Sequence, residues 1–451
     1  MTRFLLFIKH CIIIIINIIV ISRRGGSRLL KNRQIITGLD IGTTKICAII
    51  AEVTSEGKID VIGIGLSPSN GLRKGIVVDI DKTSRAINAA VEKAERMAGI
   101  DIESVFVGIA GSHISSVNSH GVVAVTGNDK EISNSDIQRV LEAAKIIPLS
   151  AEEEIIHVLA REFIVDGCPG IKDPLGMSGV RLEVETHIVK GSSTSIQNLI
   201  KSVLRSGLEV DDIVLEPLAS SESVLAEDEK ELGVALADIG GGTTDFVVFH
   251  EGSISYTSVL PVGGNHVSND IAVGLRTPVS EAEKLKIKHG SARSANISPE
   301  EYIDIITASG KSKKSIKRKT LGNVIEPRME ELFNLIKREL DKSGPKDLTP
   351  AGLVITGGAS LLEDATDLAT DIVDLPVRIG EPEYINGLSD VIDNPVHIQK
   401  GEKVPKAIFS TAVGLVEYGY NYDQENIEGN KAQTIVNDFF SKLKNWFDDF
   451  F

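Results

Sequence analysis

The sequence predicts an α/β fold of two like domains facing one another, and three observations carry that prediction. First, Ala237-Asp238-Ile239-Gly240-Gly241-Gly242-Thr243-Thr244-Asp245 lies between the apolar runs Val234–Ala237 and Phe246–Phe249. Two β-rich runs joined by a Gly and Thr turn read as a tight hairpin. Second, the device occurs twice: Ile35-Ile36-Thr37-Gly38-Leu39-Asp40-Ile41-Gly42-Thr43-Thr44-Lys45 leads into the apolar run Ile46–Ala51. In each copy a further strand follows a short Gly turn, Glu56-Gly57-Lys58 and Glu251-Gly252-Ser253. Third, strand-like runs alternate with runs of helical spacing along the chain. A repeat so widely separated suggests two domains clamping one phosphate chain between two hairpins.

The turn chemistry fits that use. Consecutive glycines let backbone approach a ligand closely and present N–H groups to an anion. Thr243 and Thr244 add hydroxyl donors, and Asp238 at the strand end can hold a hydrated cation beside the phosphates it would otherwise repel. A Gly-rich hairpin without a ligand is the plain alternative; the Asp before and the Thr-Thr-Asp after favour phosphate.

At 451 residues the chain has ample core for two or more domains. A net charge of −15 argues against broad binding to nucleic-acid phosphates, which needs a basic face. Cys11, Cys47 and Cys168 have no metal-ligand spacing and fit a reduced, cytoplasmic protein.

Residues 1–33 differ from the rest. Phe4 to Ile21 is almost wholly apolar but is broken by Lys9, His10 and Asn17, and Arg23, Arg24, Arg28, Lys31 and Arg33 follow. It lacks a clear cleavage site for a signal peptide, and as a membrane span it is marginal and would keep the body cytoplasmic. Arg-Arg-Gly-Gly can also be encoded by a purine-rich run like a ribosome-binding site, with Leu29 or Leu30 a misread start. That reading is preferred, and the fold is expected to begin near Gln34.

Residues 35–77 read as strands around the first hairpin. Thr83 to Ala98 is a helix on the spacing of Ile87, Ala90, Val91, Ala94 and Met97, stopped by Gly99. Val105–Ile109 and Gly121–Val125 read as strands, and Ser133–Ile147 as a helix ended by Pro148. His157–Val165 and Val180–Val189 are strands, with Pro169, Gly170, Pro174 and Gly176 marking a loop between them. Residues 79–182 thus form an expected α+β unit inserted after the first hairpin. Gly111-Ser112-His113 reads as a turn serine beside a hydrogen-bonded histidine rather than a nucleophile with its base.

Ser195–Ser206 reads as a helix, Ile213–Pro217 as a strand ending in the carboxylate of Glu216, and Ala219–Glu227 as a helix. At a strand's C-terminal end, where α/β clefts open, Glu216 can orient the water that attacks a terminal phosphate; the alternative is a surface glutamate before Pro217. Between 264 and 325 lies another module, whose helix at Ser280–Lys286 has Ser280 as its expected N-cap. Glu283 and Lys284 there either serve that helix or face a nucleotide's sugar. Lys311–Lys319 holds six basic residues, a solvated face or a receiver for an acidic partner. Val324–Leu340 is an amphipathic helix. In Leu353–Ser360, strand, double glycine and helix start, Gly357 and Gly358 let a flat ring lie against backbone and Ser360 favours an anion nearby. Ala407–Glu417 is a last core helix and Asn421–Gln433 a polar linker.

The final segment, 434–451, places Ile435, Val436, Phe439, Phe440, Leu443, Trp446, Phe447 and Phe450 on one helical face. An aromatic-rich amphipathic helix after a linker suits flat binding in a membrane interface; docking onto a protein groove is the alternative. Its charged face is mixed, so several copies would bind better than one.

The order of phosphate hairpin, strand-Glu-Pro-helix, Gly-rich phosphate hairpin and Thr356-Gly357-Gly358-Ala359 resembles the actin/sugar-kinase/chaperone ATPase superfamily. Within it, Gly38–Lys45, Leu215-Glu216-Pro217, Asp238–Asp245 and Thr356–Ala359 are similar to the FtsA family of bacterial cell-division proteins, over residues 34–451. The resemblance implies an actin-like (ribonuclease H-like) two-domain ATPase fold with an inserted α+β IC subdomain and a C-terminal amphipathic helix. Its expected divisions are IA at 34–78, IC at 79–182, a connection at 183–228, IIA at 229–263 and IIB at 264–325. IIA then resumes at 326–405, a return helix spans 406–420, the linker 421–433 and the membrane-targeting helix 434–451. By resemblance Asp40 and Asp238 hold hydrated Mg²⁺, and Gly42, Thr43, Thr44, Lys45, Gly240, Gly241, Gly242, Thr243 and Thr244 surround the phosphates of ATP. Glu283, Lys284, Gly357, Gly358 and Ala359 meet the ribose and adenine, and Glu216 matches the water-orienting catalytic position. At most weak ATPase activity is implied. The implied role is a polymerising protein that tethers FtsZ, through its tail on IIB, to the cytoplasmic side of the cell membrane and recruits later division proteins. A small-molecule kinase gives the terminal helix no role, a chaperone ATPase needs a larger C-terminal domain, and a pilus-assembly relative would need no membrane tail.

Overall fold

The computed structural model describes residues 34–127, 129–307, 312–383, 385–389 and 404–427. It opens with three antiparallel strands, β1 (Gln34–Ile41), β2 (Lys45–Val53) and β3 (Ile59–Pro68). A small ribbon of β4 (Leu72–Arg73) and β5 (Ile76–Val77) leads into α1 (Ile80–Ala98). Asp79 caps α1 by accepting the Lys82 N–H, and Gly99, at φ 72°, ends it as expected. β6 (Ser104–Ile109) then runs parallel to β1.

The inserted unit follows as β7 (Ser115–Ala124), α2 (Asn134–Ala144), β8 (Glu153–Val165), β9 (Cys168–Ile171) and β10 (Arg181–Ser192), with strand order β7-β10-β8-β9. α3 (Ser193–Leu204) and β11 (Glu209–Leu215) return to the first sheet, whose order is β11-β6-β1-β2-β3. α4 (Glu216–Val224) and α5 (Glu227–Leu232) cross to the second domain.

That domain repeats the pattern. β12 (Val234–Ile239), β13 (Thr244–His250) and β14 (Ser253–Leu260) are antiparallel. α6 (Gly264–Leu275), α7 (Val279–His289), the ribbon of β15 (Tyr302–Ile306) and β16 (Lys313–Lys317), and the long α8 (Arg318–Ser343) follow. β17 (Leu353–Thr356), α9 (Ala365–Val373) and β18 (Val377–Ile379) complete a sheet of order β14-β13-β12-β17-β18. Each domain thus has three antiparallel strands extended by two parallel ones. α10 (Ser410–Ile427) returns to the first domain.

Both sheets are covered on both faces, which is why their strands read as continuous apolar runs rather than alternations. On β2, Ile46, Ala48 and Ile50 pack with Ile87, Ala90 and Val91 of α1 and Leu199 of α3. The intervening Cys47, Ile49 and Ala51 pack with Ala219 of α4 and Ala412, Val413 and Val416 of α10. In the second domain Ala235, Ala237 and Ile239 of β12 face Ile325, Met329 and Phe333 of α8. Each of the larger side chains here, Val, Leu, Ile, Met and Phe, contributes about 1.5–3 kcal/mol by its burial. α4 and α10 touch backbone to backbone: a Cβ on Gly414 would lie 1.7 Å from the Ala219 carbonyl oxygen.

Several expectations are corrected. The unit expected at 79–182 is divided, because α1 and β6 belong to the first sheet, and the inserted sheet spans Ser115–Ser192. Periodicity marks the apolar stripe of α1 but not the sheet it covers. Pro169 and Gly170 lie in the edge strand β9, where a missing N–H is tolerated, not in a loop. α7 begins at Val279 with Pro278, not Ser280, at its N-cap. α10 continues past 420 to Ile427, into the stretch expected as linker. The apolar extension 1–33 and the terminal helix expected at 434–451 lie outside the described residues. Among the described residues no helix is long and apolar enough to cross a membrane.

Candidate functional site

The two Gly and Thr turns meet at their tips. In the first, the Gly42 N–H donates to the Lys45 carbonyl at 3.1 Å, closing the turn between β1 and β2. In the second, Ile239 pairs with Thr244 and leaves Gly240–Thr243 as the turn. A Cβ on Gly241 would lie 1.9 Å from Thr44 Oγ1, and one on Gly242 would lie 2.7 Å from Thr43 Oγ1. Only glycine permits that approach. The N-terminus of α6 fixes the second turn, with the Gly264 N–H donating to Gly240 O at 2.9 Å and the Asn265 N–H to Gly241 O at 2.8 Å. Asn265 also reaches across, its Nδ2 donating to Thr44 Oγ1 at 3.2 Å. Thr43 Oγ1 accepts the Gly75 N–H at 3.1 Å.

Behind the tips lies a cleft of about 610 Å³, lined by Asp40, Gly42–Lys45, Glu216, Asp238, Gly240–Thr243, Asp245, Glu283 and Gly357–Ala359. Its floor is acidic. Asp40, Asp238 and Asp245 are only 7%, 8% and 3% exposed. Burial pushes Asp238 up to about 6; the Thr411 hydroxyl, donating to its Oδ2 at 2.9 Å, opposes the shift, and neighbouring Asp40 adds to it. Burial, then the charge of Asp238, raises Asp245 well above the ordinary range. Glu216 rises well above it too, through burial and the charges of Asp40, Asp245 and Asp238. Burial also lifts Asp40, against the pull of Lys45 at 3.6 Å. Burial alone would lower the Lys45 ammonium, but Asp40, Cys47 and Asp238 hold it above its ordinary value. Lys45 is held over the Phe409 ring and donates to Ile408 O. Glu216 is not the end of a strand, as expected, but the first residue of α4, with Pro217 behind it.

Such a cluster of like charges suits a cation. Asp245 Oδ1 is buried without a hydrogen-bond partner among the described residues. No three His, Cys, Asp or Glu among them are grouped to ligate a metal directly. The buried carboxylates of Asp40, Asp238 and Asp245 offer a cation negative charge on one floor.

On the far wall, Glu283 accepts from Ser268 and pairs with Lys286 at 2.8 Å; Lys286 also donates to Gly264 O at 3.1 Å. Lys284 is not brought to the cleft: it is exposed and pairs with Glu281. Residues three apart share a helix face, so Lys286 accompanies Glu283 and Lys284 does not. Thr244 is also turned away, its hydroxyl donating to Val262 O at 2.8 Å. Gly357, at φ 84°, lies against Asp238, where a Cβ would come within 2.4 Å of Oδ1. After it the chain makes one 3₁₀ turn, Gly358–Leu361, rather than the expected helix, and the Ser360 hydroxyl is spent on Gly357 O at 2.7 Å. Met329, Leu361, Leu362, Pro405 and Ile408 supply an apolar end. Gly111-Ser112-His113 lies in a turn, as expected, but neither ring nitrogen of His113 is partnered among the described residues. Asp245, Asn265, Lys286 and Thr411 were missed as site residues. Asp245 stood inside the recognised motif and Lys286 one turn from Glu283; Asn265 and Thr411 gave no local signal.

Two facing sheets of one topology, joined at paired Gly and Thr turns, define an actin-like protein. The PilM–PilN type IV pilus biogenesis complex shares the fold at TM-score 0.63, with 16% identity over 85% of this chain and 98% of that one. MreB5 of Spiroplasma citri bound to ADP shares it at 0.52, with 14% identity over 88% and 98%. Within that class, the family model "Cell division protein FtsA" matches residues 235–414, and "SHS2 domain inserted in FTSA" matches 111–190, which covers nearly all of the inserted sheet. Cell division protein FtsA of Pseudomonas aeruginosa is 48% identical over 86% of this chain and 90% of its own length. That of Escherichia coli K12 is 36% identical over 92% and 98%. The chain belongs to the FtsA family of cell division proteins.

Proposed function

We propose that the cleft binds ATP with a hydrated Mg²⁺, and that the bound nucleotide governs assembly of a division protein tethering FtsZ to the membrane. The observation that carries the nucleotide reading is the meeting of the two turns over an acidic floor. Their N–H groups, Thr43, Thr44 and Lys45 surround a place for phosphates. Asp40, Asp238 and Asp245 would hold the hydrated ion, which supplies the charge that lets phosphates sit beside carboxylates. Glu283 and Lys286 would take the ribose, Gly357, Gly358 and Ala359 the base against backbone, and the apolar end the rest of its ring. Glu216, on the floor of the cleft, would orient the attacking water. The ADP in MreB5 of Spiroplasma citri supports the ligand class.

The division role rests on family membership. FtsZ's tail would dock on the ribbon β15–β16 and its neighbours, copies of the chain would form an actin-like filament, and later division proteins would join it. The segment 434–451 would lie in the cytoplasmic face of the membrane. Titration with ATP and Mg²⁺ tests the cleft. Lys286→Ala should weaken ATP roughly tenfold, the loss of one charge-assisted contact, while Lys284→Ala stays within about twofold, as a surface pair should. Equal effects, or no ATP binding by the wild type, would sink the reading.

A further inference from the structure

The inserted sheet is fastened to both domains by buried side chains. Toward the second domain, His187 of β10 bonds Thr257 Oγ1 of β14 at 2.9 Å through Nε2, while its Nδ1 bonds Asn118 Oδ1 of β7, in its own sheet, at 2.7 Å. Toward the first domain, β8 brings His157, 6% exposed, against the end of β11. There His157 Nε2 accepts the Leu215 N–H at 3.0 Å. An amide N–H can only donate, so this nitrogen carries no proton and the ring is neutral with its proton on Nδ1. Burial lowers His157 to about 4, which keeps that state throughout the neutral range. β11 is the edge strand of its sheet, and the histidine stands where a further strand would bond. Leu215 is the last residue of β11, and Glu216 is next.

We propose that His157 is a positioning residue for Glu216: by holding the Leu215 N–H it sets the corner where strand becomes helix, and so couples the inserted sheet to the cleft. The proposal rests on the ATP reading and goes beyond it. His157 touches no ligand. Without the acceptor, the buried N–H must find another partner or move, and Glu216 moves with it. A shift of that kind should act on water placement far more than on nucleotide affinity, since the turns that hold phosphates lie elsewhere.

The test uses the full chain and measures ATP turnover and ATP affinity side by side. His157→Leu should lose turnover roughly tenfold or more while affinity stays within about twofold. His157→Gln, whose carbonyl can accept the same N–H, should recover most of it. Thr257→Val, which loosens the other fastening and leaves the Leu215 bond, should turn over ATP near the wild-type rate. If His157→Leu does not fold, His157→Asn, polar but too short to reach, takes its place. Equal behaviour of the Leu and Gln variants, affinity falling in step with turnover, or the same loss in Thr257→Val would overturn the proposal. A wild type that binds ATP without turning it over removes the role of Glu216 and this proposal together, and leaves nucleotide binding standing. A wild type that binds no ATP fails the earlier reading itself.

Discussion

Asp238 shows how one side chain can be costly to the fold and necessary to the site. Its carboxyl is pushed from 3.8 up to about 6 in the folded chain, chiefly by burial. Between those values the folded protein binds more protons than the unfolded one, so this contribution to stability falls as pH rises through the window. At pH 7.5, without metal, the charged form costs on the order of 3 kcal/mol. Asp238→Asn should therefore raise the melting temperature of the ligand-free protein at pH 7.5, with the gain shrinking toward pH 4.5. A gain independent of pH would show that Asp238 is not strained by burial. The same variant should bind ATP with Mg²⁺ more weakly, since the neutral amide cannot attract a hydrated cation. Asp40 and Asp238 were legible because each closes a strand beside a Gly turn. Asp245 was not singled out, since only the folded sheet shows its Oδ1 buried beside the charge of Asp238.

At the scale of elements, the crossing helices α4 and α10 carry the cleft between them. α4 starts with Glu216, α10 offers Thr411 to Asp238, and the two meet where Gly414 lies on the Ala219 carbonyl. Gly414→Ala gains helix propensity yet must force the helices apart. Overpacking of this kind costs about 1–3 kcal/mol, so thermal unfolding should shift downward and ATP affinity should fall with it. Unchanged stability and affinity would mean that the contact is softer than its geometry. The strands of both sheets were legible as apolar runs bounded by glycine turns, because neighbours along the chain decide strand character. The insert boundary was not. α1 is amphipathic wherever it packs, and only Ile87, Ala90 and Val91 meeting Ile46, Ala48 and Ile50 assign it to the first domain. Lys286 was missed for a similar reason: spacing gives the helix, while its rotation toward the cleft comes from the packing of Ala282 and Leu285.

At the scale of the whole molecule, membrane attachment is proposed to rest on the segment after the described fold. Vesicle co-sedimentation with Mg-ATP should pellet a chain running from Lys31 to Phe451 and leave soluble the same chain ended at Gln433. If both stay soluble, the terminal segment is a docking helix, and either the apolar stretch Phe4–Ile21 is the anchor or the tethering role fails; if both pellet, the anchor lies between Lys31 and Gln433. The sequence by itself determined the two hairpins, the duplicated domain plan and the family, because these reside in residues adjacent along the chain and in the order of motifs. Tertiary structure alone decided that Thr44 meets Gly241, that Asp40, Asp238, Asp245 and Glu216 repel one another on a single floor, and that His157 bonds Leu215. Burial and charge act through space, and the partners that set them stand far apart in the chain until it folds.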